Sequence, residues 1–183
     1  MKKINTPLEG CFIIEPQIFN DERGYFFESY SQSKFESLLG REIQFVQDNE
    51  SLSQQGTLRG LHMQQGAFAQ AKLVRVISGE ILDVVVDMRK KSPTFGHYFS
   101  IILSSENKKQ LFVPRGFAHG FITLSKEAVF AYKCDNYYAK NAEVGIMYND
   151  KDLAIDWQYD LAKITLSEKD KNNITLQEFI NEH

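Results

Sequence analysis

Short runs of β-branched and aromatic residues, separated by turn residues, recur through the first three quarters of the chain. Such runs predict strands, because these side chains pack well on a pleated, half-buried surface. The predicted strands cover residues 11–14, 24–30, 43–46, 72–77, 80–87, 97–103, 110–113, 120–124 and 128–134. Many short strands at roughly even spacing favour an all-β antiparallel sandwich or barrel, with the jelly roll as the leading candidate.

Helix is predicted only at the periphery of this β structure. One helix is expected over residues 33–39, where Gly40 is a suitable C-terminal stop, and short helical turns are expected over 167–170 and 175–180. The chain has 183 residues, 43% of them hydrophobic, and contains no repeat or linker-like stretch. We therefore expect one domain over residues 1–183, with enough apolar residues for a core.

Charge and cysteine content exclude several classes of partner. The formal net charge of −3 provides no general attraction for nucleic acid or for an anionic membrane, so local cations have to hold any anionic substrate. No apolar run approaches the ~18 residues that cross a bilayer. Cys11 and Cys134 lie far apart, which favours free thiols in the cytoplasm. The basic N-terminus has no apolar segment behind it, so no signal peptide is expected.

Two histidines raise the question of a metal site. A metal-binding jelly roll of the cupin kind usually carries two histidines one residue apart on a strand, but Gln64 occupies the second position after His62. His119 lies in a motif that is typical of the second half of such a site. Because a first-row metal needs three or more nitrogen or oxygen ligands, we expect no metal here. The histidines are better suited to acid–base chemistry or hydrogen bonding.

Gly60 decides whether Arg59 and His62 can serve one pocket. Side chains alternate between the two faces of a regular strand, so these two residues should point to opposite sides. A bulge or bend at Gly60 would bring both to the same side. A lone strand histidine is more often an ordinary core or surface residue, and the neighbouring arginine and glycine favour a functional role for His62.

Lys72 and the tyrosines that follow residue 130 each permit two interpretations. Lys72 is either a solvated lysine at the end of a strand or an ammonium directed at an oxyanion or a phosphate. Tyr132 is either a core aromatic or, if its hydroxyl meets a substrate, a proton donor. Tyr137 and Tyr138 are either hydrophobic cover on a loop or a platform on which a base can stack.

Several charged residues also have plain structural interpretations. Asp83 lies in an otherwise apolar strand, which predicts a buried carboxylate paired with a neighbouring cation. Asp170 lies in a polar stretch that is typical of a solvated turn. Arg23 and Glu28 flank an aromatic run, a pattern typical of an edge strand protected by charge.

Taken together, many stretches of the chain resemble the dTDP-4-dehydrorhamnose 3,5-epimerase family. Two of the most specific are Leu-Arg-Gly-Leu-His at 58–62 and Pro-Arg-Gly-Phe-Ala-His-Gly at 114–120. Further matches cover residues 19–28, 45–49, 71–75, 92–96, 132–133, 149–150, 155–157 and 166–170. They run in order and with family-like spacing from about residue 10 to residue 170, so the resemblance is far more specific than any single motif.

The resemblance implies a double-stranded β-helix (a cupin-like jelly roll) with short peripheral helices, a homodimer without metal or cofactor, and a dTDP-4-keto-6-deoxy sugar as substrate. It implies that His62 removes a proton beside the ketone, oriented by Asp170, and that Tyr132 returns a proton to the opposite face. Lys72 would stabilise the enolate. The implied substrate contacts are Arg23, Arg59 and His119 on phosphate and sugar oxygens, Tyr138 on the thymine, and Glu28, Gln47, Asn49, Glu143 and Lys169 elsewhere.

Elementary chemistry agrees with this assignment and leaves three alternatives. Inverting a carbon beside a ketone requires a base near neutral pKa, a second proton donor and a stabilised enolate. A single-carbon epimerase of a related pathway would use the same residues. A metal-dependent cupin would need the missing second histidine. A non-catalytic sugar-nucleotide-binding module would keep Tyr138 and the arginines but have no use for His62, Tyr132 and Asp170 together.

Overall fold

The computed structural model describes residues 1–182 and consists mainly of strands. The strands are β1 Lys2–Asn5, β2 Phe12–Glu15, β3 Ile18–Asp21, β4 Gly24–Phe27, β5 Gln47–Gln54, β6 Leu58–Gln64, β7 Lys72–Ser78, β8 Glu80–Asp87, β9 Tyr98–Ser104, β10 Gln110–Val113, β11 Phe117–Thr123, β12 Glu127–Cys134 and β13 Glu143–Gly145. The α-helices are α1 Gln32–Leu39 and α2 Leu176–Glu182, and short 3-10 helices include Asp170–Asn172.

The strands form two larger sheets and a separate hairpin, as the predicted all-β jelly roll requires. The six-stranded sheet has the order β1-β2-β10-β7-β12-β5, and the five-stranded sheet has the order β13-β6-β11-β8-β9. Among the described strands, β3 and β4 pair with each other and with no other strand. All these ladders are antiparallel, and most neighbours within the two larger sheets are distant in sequence. The sheet order therefore brings side chains from separate parts of the chain to one place.

Apolar side chains of the two sheets pack against each other between the layers. Val74 and Phe130 of the six-stranded sheet share one buried cluster with Val85 and Phe121 of the five-stranded sheet. A second cluster covers the other face of the five-stranded sheet with the C-terminal segment, including the buried Trp157. Parts of β5, β6, β7, β11 and β12 line a polar cavity.

Most predicted elements are confirmed, with shifts at their ends. The predicted strands over 72–77, 80–87, 97–103, 110–113 and 128–134 correspond to β7, β8, β9, β10 and β12. The predicted helix over residues 33–39 is α1, and Gly40 ends it in a left-handed conformation with φ +79°. The two predicted turns of the tail correspond to the 3-10 helix at Asp170–Asn172 and to α2.

The predicted strand over residues 43–46 is wrong. Ile43 and Phe45 instead pack beside Phe35 of α1 from an irregular segment, with the Phe35 and Phe45 ring centroids 5.6 Å apart. The strand begins at Gln47, as β5. β5 lies at the edge of its sheet, and every second side chain of the strand is exposed. Its sequence is therefore mostly polar and lacks the β-branched and aromatic residues that predict a strand. Within residues 1–182, no helix is long and apolar enough to cross a membrane.

Candidate active site

A polar cavity lies between the two sheets and has two adjoining lobes of about 620 and 260 Å³. Four side chains line both lobes: Asn49 of β5, His62 of β6, Lys72 of β7 and Tyr132 of β12. His62 belongs to the five-stranded sheet, whereas Lys72 and Tyr132 belong to the six-stranded sheet. A ligand in this cavity would therefore meet His62 from one sheet and Lys72 and Tyr132 from the facing one.

His62 forms a short hydrogen bond with a buried carboxylate. Its Nε2 lies 2.5 Å from Oδ1 of Asp170, and the exposed fractions of the two side chains are 26% and 4%. Burial alone would raise the pKa of Asp170, but the hydrogen bond with His62 and other donors outweigh it and hold the pKa below its ordinary value. An ionised Asp170 fixes the proton of His62 on Nε2 and leaves Nδ1 as the atom that can accept a proton.

Asp170 reaches His62 because the segment that follows it is tied to β6 and β13. The side-chain amide of Asn173 donates to the carbonyl oxygens of Gly60 and Ile146, both at 3.4 Å. The backbone N–H of Ile174 donates to the carbonyl of Gly145, whose Cα pairs with that of His62. The predicted solvated turn at Asp170 is therefore wrong, because long-range contacts bury it.

The structure contains the irregularity at Gly60 that a pocket shared by Arg59 and His62 requires. In the β6–β11 ladder, His119 pairs with His62 and Phe121 pairs with Arg59, so β6 has one more residue than β11 between these pairs. Gly60 has φ +126°, a conformation that favours glycine. This extra residue cancels the alternation of the strand. Arg59 and His62 consequently both line the larger lobe.

The polar groups of Lys72 and Tyr132 face His62 across the cavity without a hydrogen bond in the part of the chain that the structure describes. The Nζ of Lys72 lies 5.7 Å from the centre of the Tyr132 ring. No group within residues 1–182 hydrogen-bonds the Lys72 ammonium or the Tyr132 hydroxyl. Burial lowers the pKa of Lys72, and burial raises the pKa of Tyr132. The tyrosine therefore keeps its proton at neutral pH, and both groups are free to meet a ligand.

His119 is more deeply buried than His62 and has a different carboxylate partner. Its Nε2 lies 2.9 Å from Oδ2 of Asp83, and the exposed fractions of the two side chains are 6% and 0%. Asp83 is thus the predicted buried carboxylate, with a histidine as its partner. His119 still lines the larger lobe together with Arg59, whose Nε donates to Oγ of Ser53 at 3.0 Å.

Tyr138 and Glu143 of the smaller lobe form a connected group with Lys169 of the larger lobe. The hydroxyl of Tyr138 donates to Oε2 of Glu143 at 2.8 Å, and Nζ of Lys169 lies 2.5 Å from Oε1 of the same carboxylate. Burial would raise the pKa of Glu143, but these two partners lower it, so the carboxylate stays ionised. Gln47 and Asn49 also line the smaller lobe and hydrogen-bond each other, Nε2 to Oδ1, at 3.1 Å.

Two predicted site residues lie apart from this cavity. Arg23 is on the β3–β4 hairpin with its side chain 90% exposed and paired with Asp21 at 2.5 Å. Glu28 pairs with Lys34 at 2.8 Å. Neither residue lines either lobe. Within one chain, Arg23 and Glu28 therefore lie apart from the other residues that were predicted to contact the substrate.

Some cavity residues were not predicted as site residues. Gln64 and Gln70 line the smaller lobe, and Thr165, Leu166 and Ser167 line the larger one. The position of Gln64 two residues after His62 on a strand was the available signal, since such residues share a face. In the part of the chain that the structure describes, no three His, Cys, Asp or Glu side chains gather in a group that could hold a metal.

Comparison with known proteins gives one consistent family. The model of a family described as dTDP-4-dehydrorhamnose 3,5-epimerase matches residues 5–178. A protein of that description from Salmonella typhimurium is 54% identical over 156 residues, covering 85% of each chain. A crystal structure of one from Elizabethkingia anophelis has a TM-score of 0.94, with 54% identity and 97% of each chain covered.

A second solved structure includes a bound nucleotide sugar. It is a dTDP-6-deoxy-D-glucose-3,5-epimerase from Legionella pneumophila in complex with dTDP-4-keto-L-rhamnose. The TM-score is 0.92 at 50% identity, with 96% of the present chain and 93% of the other covered. The similarity extends over nearly the whole of both chains and therefore includes all the strands that line the cavity.

Proposed function

The chain belongs to the dTDP-4-dehydrorhamnose 3,5-epimerase family, and we propose that His62 and Tyr132 exchange protons on opposite faces of the sugar ring. The protein is an isomerase that epimerises dTDP-4-keto-6-deoxyglucose at carbons 3 and 5, giving dTDP-4-keto-L-rhamnose for dTDP-L-rhamnose biosynthesis. The observation that carries the mechanism is that the proposed base and the proposed proton donor come from different sheets. His62 lies on one sheet and Tyr132 on the facing sheet, with the cavity between them.

The base in this proposal is Nδ1 of His62. Asp170 accepts from Nε2, so it holds the ring in one orientation and stabilises the imidazolium that forms when a proton arrives. The hydrogens on carbons 3 and 5 are acidic because they flank the C4 ketone. Removal of either one produces an enolate with its charge on the C4 oxygen. The dyad therefore performs the same chemistry at both carbons.

Lys72 stabilises that enolate. Its ammonium lines the cavity beside the proton donor, with Nζ 5.7 Å from the centre of the Tyr132 ring, and no protein acceptor competes for it within the described residues. A fixed cation at a developing oxyanion contributes several kcal/mol in a site that excludes water, on the order of 3 kcal/mol per donor. Burial lowers the pKa of Lys72, but the negative charges of the Asp83 and Glu143 carboxylates act in the opposite direction. The enolate oxygen would add to them.

Tyr132 completes the inversion. Its raised pKa keeps the hydroxyl protonated, so it can donate to the face of the ring that His62 does not reach. The enolate is planar at the reacting carbon, and the side from which the proton arrives decides the configuration. His62 on the five-stranded sheet removes a proton from one face, and Tyr132 on the six-stranded sheet delivers a proton to the other face. The configuration of the carbon is thereby inverted.

The remaining cavity residues suit the nucleotide and the diphosphate. We propose that Arg59, Lys169 and His119 hold phosphate and sugar oxygens, since guanidinium and ammonium groups are the usual partners of phosphate. Tyr138 offers an aromatic face for the thymine, and Gln47, Asn49 and Glu143 supply polar contacts. These assignments are supported by the position of every one of these residues on the cavity wall or in the Tyr138–Glu143–Lys169 group.

We propose that the enzyme is a cytoplasmic homodimer in which the β3–β4 hairpin of one subunit completes the partner's cavity. Arg23 and Glu28 lie on or beside this hairpin, outside their own cavity. Phe19 and Phe26 on the hairpin are 53% and 69% exposed, which suits a surface that another copy covers. Free thiols at Cys11 and Cys134 and the nucleotide-sugar substrate support the cytoplasm.

The decisive experiment is turnover of dTDP-4-keto-6-deoxyglucose in deuterated water, with and without a chelator. We expect deuterium at both carbon 3 and carbon 5, an L-configured product, and the same rate after dialysis against EDTA, because protein groups alone carry the protons. Exchange at one carbon only would identify a single-carbon epimerase. Loss of turnover that added metal restores would overturn the metal-free mechanism.

A further inference from the structure

Gln64 stands at the place where a metal-binding jelly roll carries its second histidine, and the structure gives it a different task. The residue is 5% exposed, and it lines the smaller lobe beside His62. A buried carboxamide almost always satisfies its polar atoms, because an unpaired one is costly. The partners of its oxygen and its nitrogen therefore indicate what the residue does.

The carboxamide oxygen of Gln64 holds the loop that carries Tyr138. Oε1 accepts from the backbone N–H of Ala139 at 2.9 Å. From the facing sheet, Oε1 of Gln47 accepts from the backbone N–H of Tyr138 at 3.2 Å. Two consecutive amides of the loop are thus tied to the two sheets, one glutamine from each. The Tyr138 ring is held at the level of the cavity between them.

The cross-strand neighbour of Gln64 also holds the hydroxyl end of the Tyr138 ring. The hydroxyl of Tyr138 donates to Glu143, and Glu143 is the residue that pairs with Gln64 in the β6–β13 ladder. The cross-strand pair Gln64 and Glu143 therefore positions Tyr138 at two places: Gln64 holds the loop backbone next to it, and Glu143 holds its hydroxyl. A change at Gln64 would be transmitted to the tyrosine at two points.

The carboxamide nitrogen of Gln64 has no hydrogen-bond acceptor among residues 1–182. The residue is more than nine-tenths buried, and it lines the lobe that Tyr138 borders. A donor in this position suits an acceptor on the molecule that stacks on Tyr138. The carbonyl oxygens of a pyrimidine base are acceptors of this kind.

We propose that Gln64 is a positioning residue that sets the affinity for the nucleotide half of the substrate. Its oxygen fixes the Tyr138 platform, its nitrogen donates to a carbonyl oxygen of the base, and it takes no part in proton transfer. The inference rests on the proposed function, because it takes Tyr138 as the surface on which the base stacks.

The test compares Gln64→Met with Gln55→Met. Gln55 is an exposed glutamine away from the cavity whose side chain also bonds a backbone group, the carbonyl of Leu124. For Gln64→Met we expect the Kd of dTDP and the KM to rise about tenfold while kcat at saturation stays within about twofold, because the loss leaves the Ala139 amide unpaired and removes the donor. For Gln55→Met neither constant should change. A fall in kcat with an unchanged Kd would overturn the inference.

A double-mutant cycle with Tyr138→Ala checks that Gln64 acts through the platform. On that background we expect Gln64→Met to weaken dTDP binding by less than about twofold, and full additivity would contradict the proposal. Gln64→Glu keeps an acceptor for Ala139 and so preserves the loop if the methionine variant fails to fold. It should still weaken dTDP binding, and unchanged affinity would refute the donor role. A wild-type protein that converts no substrate would refute the proposed function itself.

Discussion

At the scale of single residues, two histidines with similar partners differ in what they can do. His62 and His119 each hydrogen-bond a buried carboxylate through Nε2. The side chain of His62 is 26% exposed, whereas that of His119 is 6% exposed. A base has to reach the proton that it removes, so the more accessible dyad is the one suited to proton abstraction. His119 is better placed to hold a substrate oxygen at the wall.

Substitutions at His62 and Tyr132 should separate proton removal from proton return. We expect His62→Ala to lower turnover by about a thousandfold and to abolish deuterium exchange, because it removes the base. Tyr132→Phe keeps the ring, so exchange should persist at a reduced rate while inverted product falls about a hundredfold. Mass spectrometry of substrate and product in deuterated water measures both quantities.

The exposed His97 offers a matched control for this pair. His97→Ala should leave exchange and turnover unchanged, because it removes a histidine away from the cavity. Normal turnover by Tyr132→Phe would return that tyrosine to a purely packing role. Exchange at both carbons by His62→Ala would place the base elsewhere.

At the scale of elements, β6 carries the site because it is irregular. The extra residue at Gly60 lets Arg59 and His62 line one lobe, and the same strand also supplies Gln64 to the other lobe. Gly60 packs against β11 so closely that a Cβ built on it would lie 2.6 Å from Cα of Gly120. The backbone geometry and the site geometry thus depend on one glycine.

Gly60→Ala should therefore destabilise the protein and disturb the site. We expect a loss of about 3 kcal/mol in the free energy of unfolding, since the substitution combines a disfavoured φ with a backbone clash. Gly40→Ala is the control, because Gly40 also has positive φ but nothing within 4 Å of the added Cβ, and it should cost about 1 kcal/mol. Denaturant titration measures both. Equal losses would show that crowding at Gly60 has no effect.

At the scale of the whole molecule, the cavity of one chain lacks two of its expected contacts. Arg23 projects from the β3–β4 hairpin into solvent, and Glu28 follows it. Within residues 1–182 the hairpin pairs with no strand of the two larger sheets, and its aromatic side chains Phe19 and Phe26 are exposed. If two subunits build each active site, two different inactive variants should complement each other in a heterodimer, which a self-contained site would not allow.

Co-expression of an Arg23→Ala subunit with a His62→Ala subunit should restore activity. In the heterodimer, one cavity combines an intact His62 with an intact partner hairpin, so a purified heterodimer should have about half of the wild-type turnover. Differently tagged subunits allow its purification and assay. The control pairs His62→Ala with Tyr132→Phe, which lie in the same cavity, and should restore nothing beyond the separate variants. No restoration in the first pair would indicate a self-contained site.

The sequence by itself determined most of the longer strands and the peripheral helix, and it predicted which side chains are candidates for proton transfer. Alternating and β-branched runs such as β7 and β8 are local signals, because side-chain packing on a strand depends on its own pattern. A bulge at Gly60 was also open to prediction, since a glycine inside a strand is itself a local signal of a bulge. β5 was not predicted because its mostly polar sequence has few of the β-branched and aromatic residues that indicate a strand.

Only the tertiary structure decided which side chains meet. His62 and Asp170 are 108 residues apart, and Asp170 lies in a stretch whose local sequence is typical of a solvated turn. Its burial follows from contacts of Asn173 and Ile174 with β6 and β13. The facing of His62 and Tyr132 likewise follows from the sheet order, which no local pattern encodes. Hydrogen bonds and packing between distant segments, rather than the propensities of each segment, turn these residues into one site.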